Sequence, residues 1–301
     1  METPDLLIIG GEQDPNLGLL LAAAQKAGCA AEILSYGDKA EPSVTWEPGQ
    51  NYLSIREREI RPKAIFIRHD VFSFGSEAKD DGIDKSLAWH TLATGYSLSN
   101  PTVRIFNRSM DWRSSIKPFM LVQAAKHGLK IPNTIVSNHQ DAVEQHRKKF
   151  SCIAKPVAGG AYCQDLDDIL TDDIWKEGVA PAPALIQNQL IYPEYRVFVI
   201  GQELILFKVN SDALDYRGDL QARLEFIYPT ILPTKIRKNL LSLAQELGVD
   251  FGAADLKTAP DTGDLCFLEL NNQPMFATYD AASNGSLCET MIKTLCINRI
   301  P

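Results

Sequence analysis

The chain has 301 residues, 45% hydrophobic and 23% charged, with a formal net charge of −8. This is ordinary globular composition at a length that suits two or three compact units. The acidic balance argues against a general nucleic-acid or anionic-membrane surface, though not against a local basic pocket. None of the six cysteines sits in a C-x-x-C pair, and their spacing suggests no zinc site. The opening METPDLLIIGGEQDPN lacks a basic region and a long apolar run, and no stretch is apolar enough to span a bilayer. A cytoplasmic protein with reduced thiols, and with neither nucleic acid nor membrane as partner, is expected.

In chain order, the first hundred residues alternate strand and helix signals. Residues 5–10, 31–35, 64–69 and 103–106 read as strands. Residues 18–28 and 85–96 read as helices. The alternation predicts a small, largely parallel α/β layer. Gly10-Gly11 lacks the rest of a dinucleotide fingerprint and reads as a tight turn. Beyond Asn107 come a helix over 113–127, a strand at 134–136, a short helix over 140–149 and a strand over 152–157. Strands over 184–190, 196–200 and 204–209 follow, the last two joined at Gly201-Gln202. A helix over 233–247 precedes a hairpin of 251–258 and 266–270, and a last helix runs over 286–296.

The sharpest chemical signal lies near the C-terminus. Glu269 and Asn271 in FLELNNQP share one strand face by alternation, and Asp255 in GAADLK lies on the neighbouring strand. Three hard oxygen donors, two of them anionic, suit Mg²⁺ sharing phosphate oxygens. Lys155 sits in the apolar strand CIAKPV, where an ammonium needs an anion. Gly159-Gly160 follows in a loop able to close over phosphates. Lys117 opens a helix in SSIKPF, by itself a weak signal. Gln187-Asn188-Gln189 is a polar segment between apolar runs, able to border an adenine edge, and Glu194 and Arg196 follow two apart. Arg217 and Arg223 lie in a loop-like stretch, and arginine is the usual clamp for phosphate or carboxylate.

This ordered set resembles the ATP-grasp superfamily. The branch it is most similar to holds the ribosomal-protein glutamate ligases, the glutathione-synthetase-like enzymes and the peptide-macrocyclising graspetide (microviridin-type) ligases. The likeness covers residues 107–295. It departs from the family pattern at Glu194, where aspartate is usual, at Asn188, where glutamate is frequent, and in the short glycine loop. The resemblance implies an α+β grasp: a pre-grasp α/β domain at 1–106, a central subdomain at 107–185 and a C-terminal subdomain with the metal site at 186–301. It also implies residue roles. Lys117 and Lys155 would hold the ATP phosphates, and Gln187, Asn188 and Gln189 would border the adenine. Glu194 would bind ribose, and Asp255, Glu269 and Asn271 would hold Mg²⁺, with Mn²⁺ as a substitute. Arg196 and Arg217 would lie near the transferred phosphoryl group and the substrate carboxylate.

The implied activity is ADP-forming ligation of a carboxylate to an amine through an acyl phosphate. The implied partner is an amino acid, a peptide or a protein, and a homo-oligomer follows by analogy. A kinase acting on a hydroxyl and a non-catalytic nucleotide-binding module are the competing readings. The loops at Gly159-Gly160 and Ser211–Asp219 are the candidate lids. Asn272, Gln273, Met275, Phe276 and Tyr279 are candidate pocket walls. No histidine is assigned a catalytic role.

Overall fold

The computed structural model describes residues 1–37, 41–72, 80–158 and 162–297. The chain forms two compact units, one of residues 1–108 with those from 273 on, the other of Ser109–Asn272.

In the first unit, β1 (Leu6–Gly11) is buried along its whole length. An all-apolar run of this kind suits the middle of a parallel sheet. Helix α1 (Pro15–Lys26) starts earlier than its apolar pattern suggests, because the Asp14 carboxylate caps it and Pro15 takes the first helical position. Strand β2 (Ala31–Tyr36) follows. Strands β3 (Val44–Thr45), β4 (Leu53–Ile55) and β5 (Arg58–Ile60) make a small antiparallel sheet that carries no clear sequence signal. Its β4–β5 turn holds Arg56 and Glu57 at positive φ without the usual Asn-Gly. Strand β6 (Ile65–Ile67) completes the parallel order β2-β1-β6, and α2 (Asp80–Ser99) covers it. Two expectations fail here. Residues 103–106 are not a strand and contribute only an isolated bridge between Ala64 and Arg104. Gly10-Gly11 is not a turn but the end of β1, where a Cβ on Gly11 would meet the Asp70 carboxyl group at 2.2 Å.

In the second unit, the helix expected over 113–127 is split. A 3₁₀ turn, Trp112–Ser115, precedes α3 (Lys117–Lys126). Then come β7 (Thr134–His139), α4 (Gln140–Arg147), β8 (Cys152–Pro156), β9 (Gln164–Asp165), α5 (Leu166–Ile169) and β10 (Val179–Asn188). They build a sheet of order β7-β10-β8-β9. Strands β11 (Ile191–Ile200), β12 (Glu203–Asn210), β13 (Arg223–Ile227), β14 (Phe251–Thr258) and β15 (Leu265–Asn271) form a second sheet, β13-β12-β11-β14-β15. Helix α6 (Thr234–Glu246) joins β13 to β14. One face of the second sheet, including Val197, Leu206, Ala254 and Leu256, packs with residues of α3 and α6 such as Met120 and Leu243 in one hydrophobic core. The opposite face is left for the site.

Helices α7 (Ala277–Ala282) and α8 (Ser286–Ile292) return to the first unit. Buried polar groups hold the chain there. Arg68 donates to Asp14 at 2.6 Å and to the Pro274 carbonyl at 2.7 Å. The Asn16 side-chain oxygen accepts the N–H groups of Phe276 and Ala277, each at 2.8 Å. Among the described residues all six cysteines are free, and no helix is long and apolar enough to cross a membrane.

Candidate functional site

Strand parity decides what faces the site. In β8, Cys152 and Ala154 pack with Val143 and Leu166, so Ile153 and Lys155 turn the other way. They line a cleft of about 710 Å³, open mouth included. Across from them, β11 contributes Glu194, β14 contributes Asp255 and Lys257, and β15 contributes Leu268 and Glu269. Asp255 stands directly opposite both Arg196 and Glu269 in the sheet register, and Glu194 opposite Lys257. Lys117, first residue of α3, reaches in from the side, and residues 214–217 close another wall.

A β-bulge brings the acids into place. The β14–β15 register shifts between Asp255 and Leu256, whose partners are Glu269 and Phe267. Leu268 is the extra residue. Phe267 and Leu270 therefore both join the core, while Leu268 and Glu269 both line the cleft. Leu268 also packs with Leu190, Ala259 and Cys266, giving the cleft an apolar floor.

Among the described residues, four cationic and four carboxylate side chains line this cleft. Most are already paired: Lys117 with Glu269 at 3.3 Å, Lys257 with Glu194 at 2.9 Å, and Arg217 with Asp215 at 2.5 Å. Arg196 is buried, does not line the cleft, and grips both Asp255 oxygens at 2.9 and 3.0 Å. It also donates to the Tyr216 hydroxyl at 3.2 Å. Burial, with Glu269 and Glu194 adding to it, pushes the Asp255 carboxyl up to about 6 against the pull of Arg196. Burial also holds the Lys155 ammonium below the usual lysine range. Lys117 adds to that effect, and Cys163, Glu269 and Asp255 oppose it. Asp215 settles at about 2, because its contacts to Arg217 outweigh a burial that would raise it.

Two facing carboxylates, one of them buried at a cost to its charged form, make a place that gains from a cation. Among the described residues no three His, Cys, Asp or Glu side chains cluster for a metal. A site with two protein carboxylates and otherwise water or phosphate ligands is the pattern of Mg²⁺. The donor set therefore fits a magnesium–phosphate ligand.

The structure gathers Lys117, Lys155, Gln187, Asn188, Glu194, Arg217, Asp255 and Glu269 on one cleft. It does not bring in every expected residue. Asn271 lies exposed at the end of β15, opposite Ala253, and Gln189 turns to Ser151, whose hydroxyl donates to it at 3.0 Å. Neither is among the residues lining the cleft. Arg196 sits beneath Asp255 rather than on the wall. The Gln187 and Asn188 side chains are locked, the first donating to Thr134 Oγ1 at 2.9 Å and the second accepting the Asn133 N–H at 2.7 Å. Of the expected pocket walls, Phe276 and Tyr279 are buried inside the first unit. Gly159-Gly160 lies outside the described residues. Sequence reading missed Lys257, Cys163, Asp215 and Tyr216. Lys257 was within reach, since the alternation that pairs Glu269 with Asn271 also puts it beside Asp255.

No family model matches the chain, and no curated protein matches it in sequence. Solved structures do. The ATP-grasp ligase PsnB, complexed with a phosphomimetic variant of its minimal precursor, Mg and ADP, superposes at a TM-score of 0.76 with 22% identity, over 98% of this chain and 99% of that one. The chain has the ATP-grasp fold. The macrocyclase MdnC of Microcystis aeruginosa, bound to precursor peptide MdnA, matches at 0.74 and 21% identity, covering 98% and 99%. The VanG D-Ala:D-Ser ligase of Enterococcus faecalis matches this ATP-grasp fold more loosely, at 0.57 and 14%, with 98% of each chain covered.

Proposed function

We propose that the protein is an ATP-dependent, ADP-forming ligase that joins a carboxylate to an amine on a peptide or amino acid. The observation that carries this reading is the single cleft on which the facing acids Asp255 and Glu269 meet Lys117 and Lys155. Asp255 and Glu269 would hold Mg²⁺, or Mn²⁺ in its place, with water and phosphate oxygens completing the shell, since Asn271 does not line the cleft. The metal, when bound, would offset the charge that builds between the attacking carboxylate and the γ-phosphate.

Each wall has a separate task in this reading. Lys155, half-buried and with its charged form disfavoured, gains most from a phosphate. Lys117 and Arg217 would leave Glu269 and Asp215 to meet the same anion. Arg196 holds the Asp255 carboxylate in one orientation from beneath. Leu190 and Leu268 give a flat apolar floor suited to a base, bordered by the locked Gln187 and Asn188 carboxamides, with Gln189 just beyond. Glu194 would take the ribose hydroxyls. A substrate carboxylate oxygen bonds to the γ-phosphorus as the bond to the bridging oxygen breaks, and ADP leaves with the electron pair. The amine then attacks the acyl carbon and loses a proton, and phosphate departs. Fixed cations do most of such work by position and field. The functional division at 1–106, 107–185 and 186–301 belongs to this reading, as do a cytoplasmic location and a homo-oligomer.

Peptide substrates are favoured because PsnB and MdnC are each complexed with precursor peptides. An ADP-release screen across peptides and amino acids, with and without Mg²⁺, tests the function. The expected result is release that requires the metal, a carboxylate and an amine, with amide formation seen as loss of one water in mass. A folded protein that binds no nucleotide, or that phosphorylates a hydroxyl without any amine, would overturn the reading.

A further inference from the structure

Lys257 has no part in the reaction as derived above, yet its position is unusually constrained. Its side chain is only 13% exposed, as is that of its partner Glu194. An ammonium so placed needs anionic or carbonyl partners on its donors. It has two. Its Nζ lies 2.9 Å from Glu194 Oε2 and donates to the Leu214 carbonyl at 3.3 Å. The first contact is set by the sheet, in which Glu194 and Lys257 are directly paired. The second reaches a loop, three residues before Arg217.

That loop corner is also held from its other side. The Cys163 thiol donates to the same Leu214 carbonyl at 3.6 Å, and the Cys163 N–H donates to Asp215 at 3.3 Å. Asp215 in turn pairs twice with Arg217, at 2.8 and 2.5 Å. One ammonium thus joins the acid at one end of the cleft to the backbone that aims the arginine at the other. A compact charge on a flexible stem can serve a carboxylate and a carbonyl together.

We propose that Lys257 is a positioning residue that pins the Arg217 loop to Glu194, so that the ribose end of the nucleotide site and the placement of Arg217 are coupled. The part played by ribose rests on the ligase reading; the anchor itself does not. Removing the ammonium frees the Leu214 carbonyl and leaves the Cys163 thiol less screened. It also leaves Glu194 without its neutralising partner.

Alkylation of Cys163 by iodoacetamide, followed by peptide mass mapping in folded full-length protein, provides the test. Losing the Lys257 charge also lowers the thiolate fraction of Cys163, so the rate is compared per thiolate, from its pH profile; on that basis Lys257→Met is expected to speed Cys163 labelling about tenfold, the scale of one lost charge-assisted hydrogen bond. Cys152 and Cys266, buried in the same unit, should label as slowly as before. Discrimination between ATP and 2′-deoxy-ATP should fall together with kcat, while Lys257→Arg restores part of both. Should Lys257→Met not fold, Lys257→Gln keeps a donor without the charge and serves instead. Unchanged Cys163 labelling, or equal acceleration at Cys152 and Cys266, would overturn the anchor. A wild-type protein that binds neither nucleotide would sink the ligase reading alone, since the labelling experiment needs no ATP.

Discussion

Asp255 bears the sharpest electrostatic conflict in the site. It is buried, faces Glu269 across one strand pair, and is held by Arg196 from below. Replacing it therefore has two effects, of which Glu269 shares only one. Glu269→Gln removes one oxygen charge from a half-exposed position, so it should cut metal-dependent ADP formation by more than about a hundredfold at nearly unchanged Tm. Asp255→Asn should cost the same activity and also about 3 kcal/mol of stability, because it takes the counter-charge away from a buried guanidinium. Steady-state kinetics and urea denaturation of the two variants separate these outcomes. A second residue-scale prediction concerns His90, which rings with His69 at 5.5 Å in the first unit. Burial, aided by His69, holds the His90 imidazole below its usual value of 6.5. A depressed base binds fewer protons when folded than when unfolded, so its contribution to stability is present above pH 6.5 and is lost as pH falls below it. Thermal melts between pH 8 and pH 5 should show this loss, and His90→Gln should flatten it.

At the scale of elements, backbone conformation sets limits that side-chain patterns do not express. Gly248 ends α6 at φ 65, and a Cβ there would meet the Ser109 carbonyl oxygen at 2.1 Å. Gly178 has a similar φ of 78 with open space around it. Gly178→Ala should therefore cost only the left-handed strain, about 1 kcal/mol, and Gly248→Ala about 3 kcal/mol, as chemical denaturation would reveal. The bulge at Leu268 is a second case. Plain alternation puts Phe267 on the same side as Glu269, yet Phe267 is fully buried in the helix-facing core and Glu269 lines the cleft. An extra residue can be absorbed only where two strands are paired, so nothing in the local pattern of β15 reveals it. The short β3–β5 meander escaped notice for a related reason: its strands are two or three residues long and its turn uses Arg56-Glu57.

For the molecule as a whole, the discontinuous first unit has a consequence for truncation. The chain from residue 273 on belongs with residues 1–108, and its Pro274 carbonyl is a partner of the buried Arg68. Stopping the chain after Asn272 removes that partner, both N–H donors to Asn16, and the apolar faces of Leu287, Met291 and Ile292. Fragment 1–272 should then lose the cooperative transition of its first unit. Fragment 109–272 retains both sheets of the second unit with their cores, and should melt as one transition. Calorimetry of the two fragments checks this; a fully cooperative 1–272 would refute the argument.

Much of the site was written in local order. Lys155 in an apolar strand, and Glu269 two residues from Asn271, are one-dimensional signals, because strand periodicity and the cost of burying charge act within a few residues. The ends of β14 and the hairpin turns were legible for the same reason. What local order could not express is pairing between distant segments. That Arg196 holds Asp255, that Lys257 meets Glu194 and Leu214, and that Asn271 stands outside the cleft are all set by strand register and one bulge. Register depends on how whole faces bury their apolar residues, and that is decided only when the sheets pack.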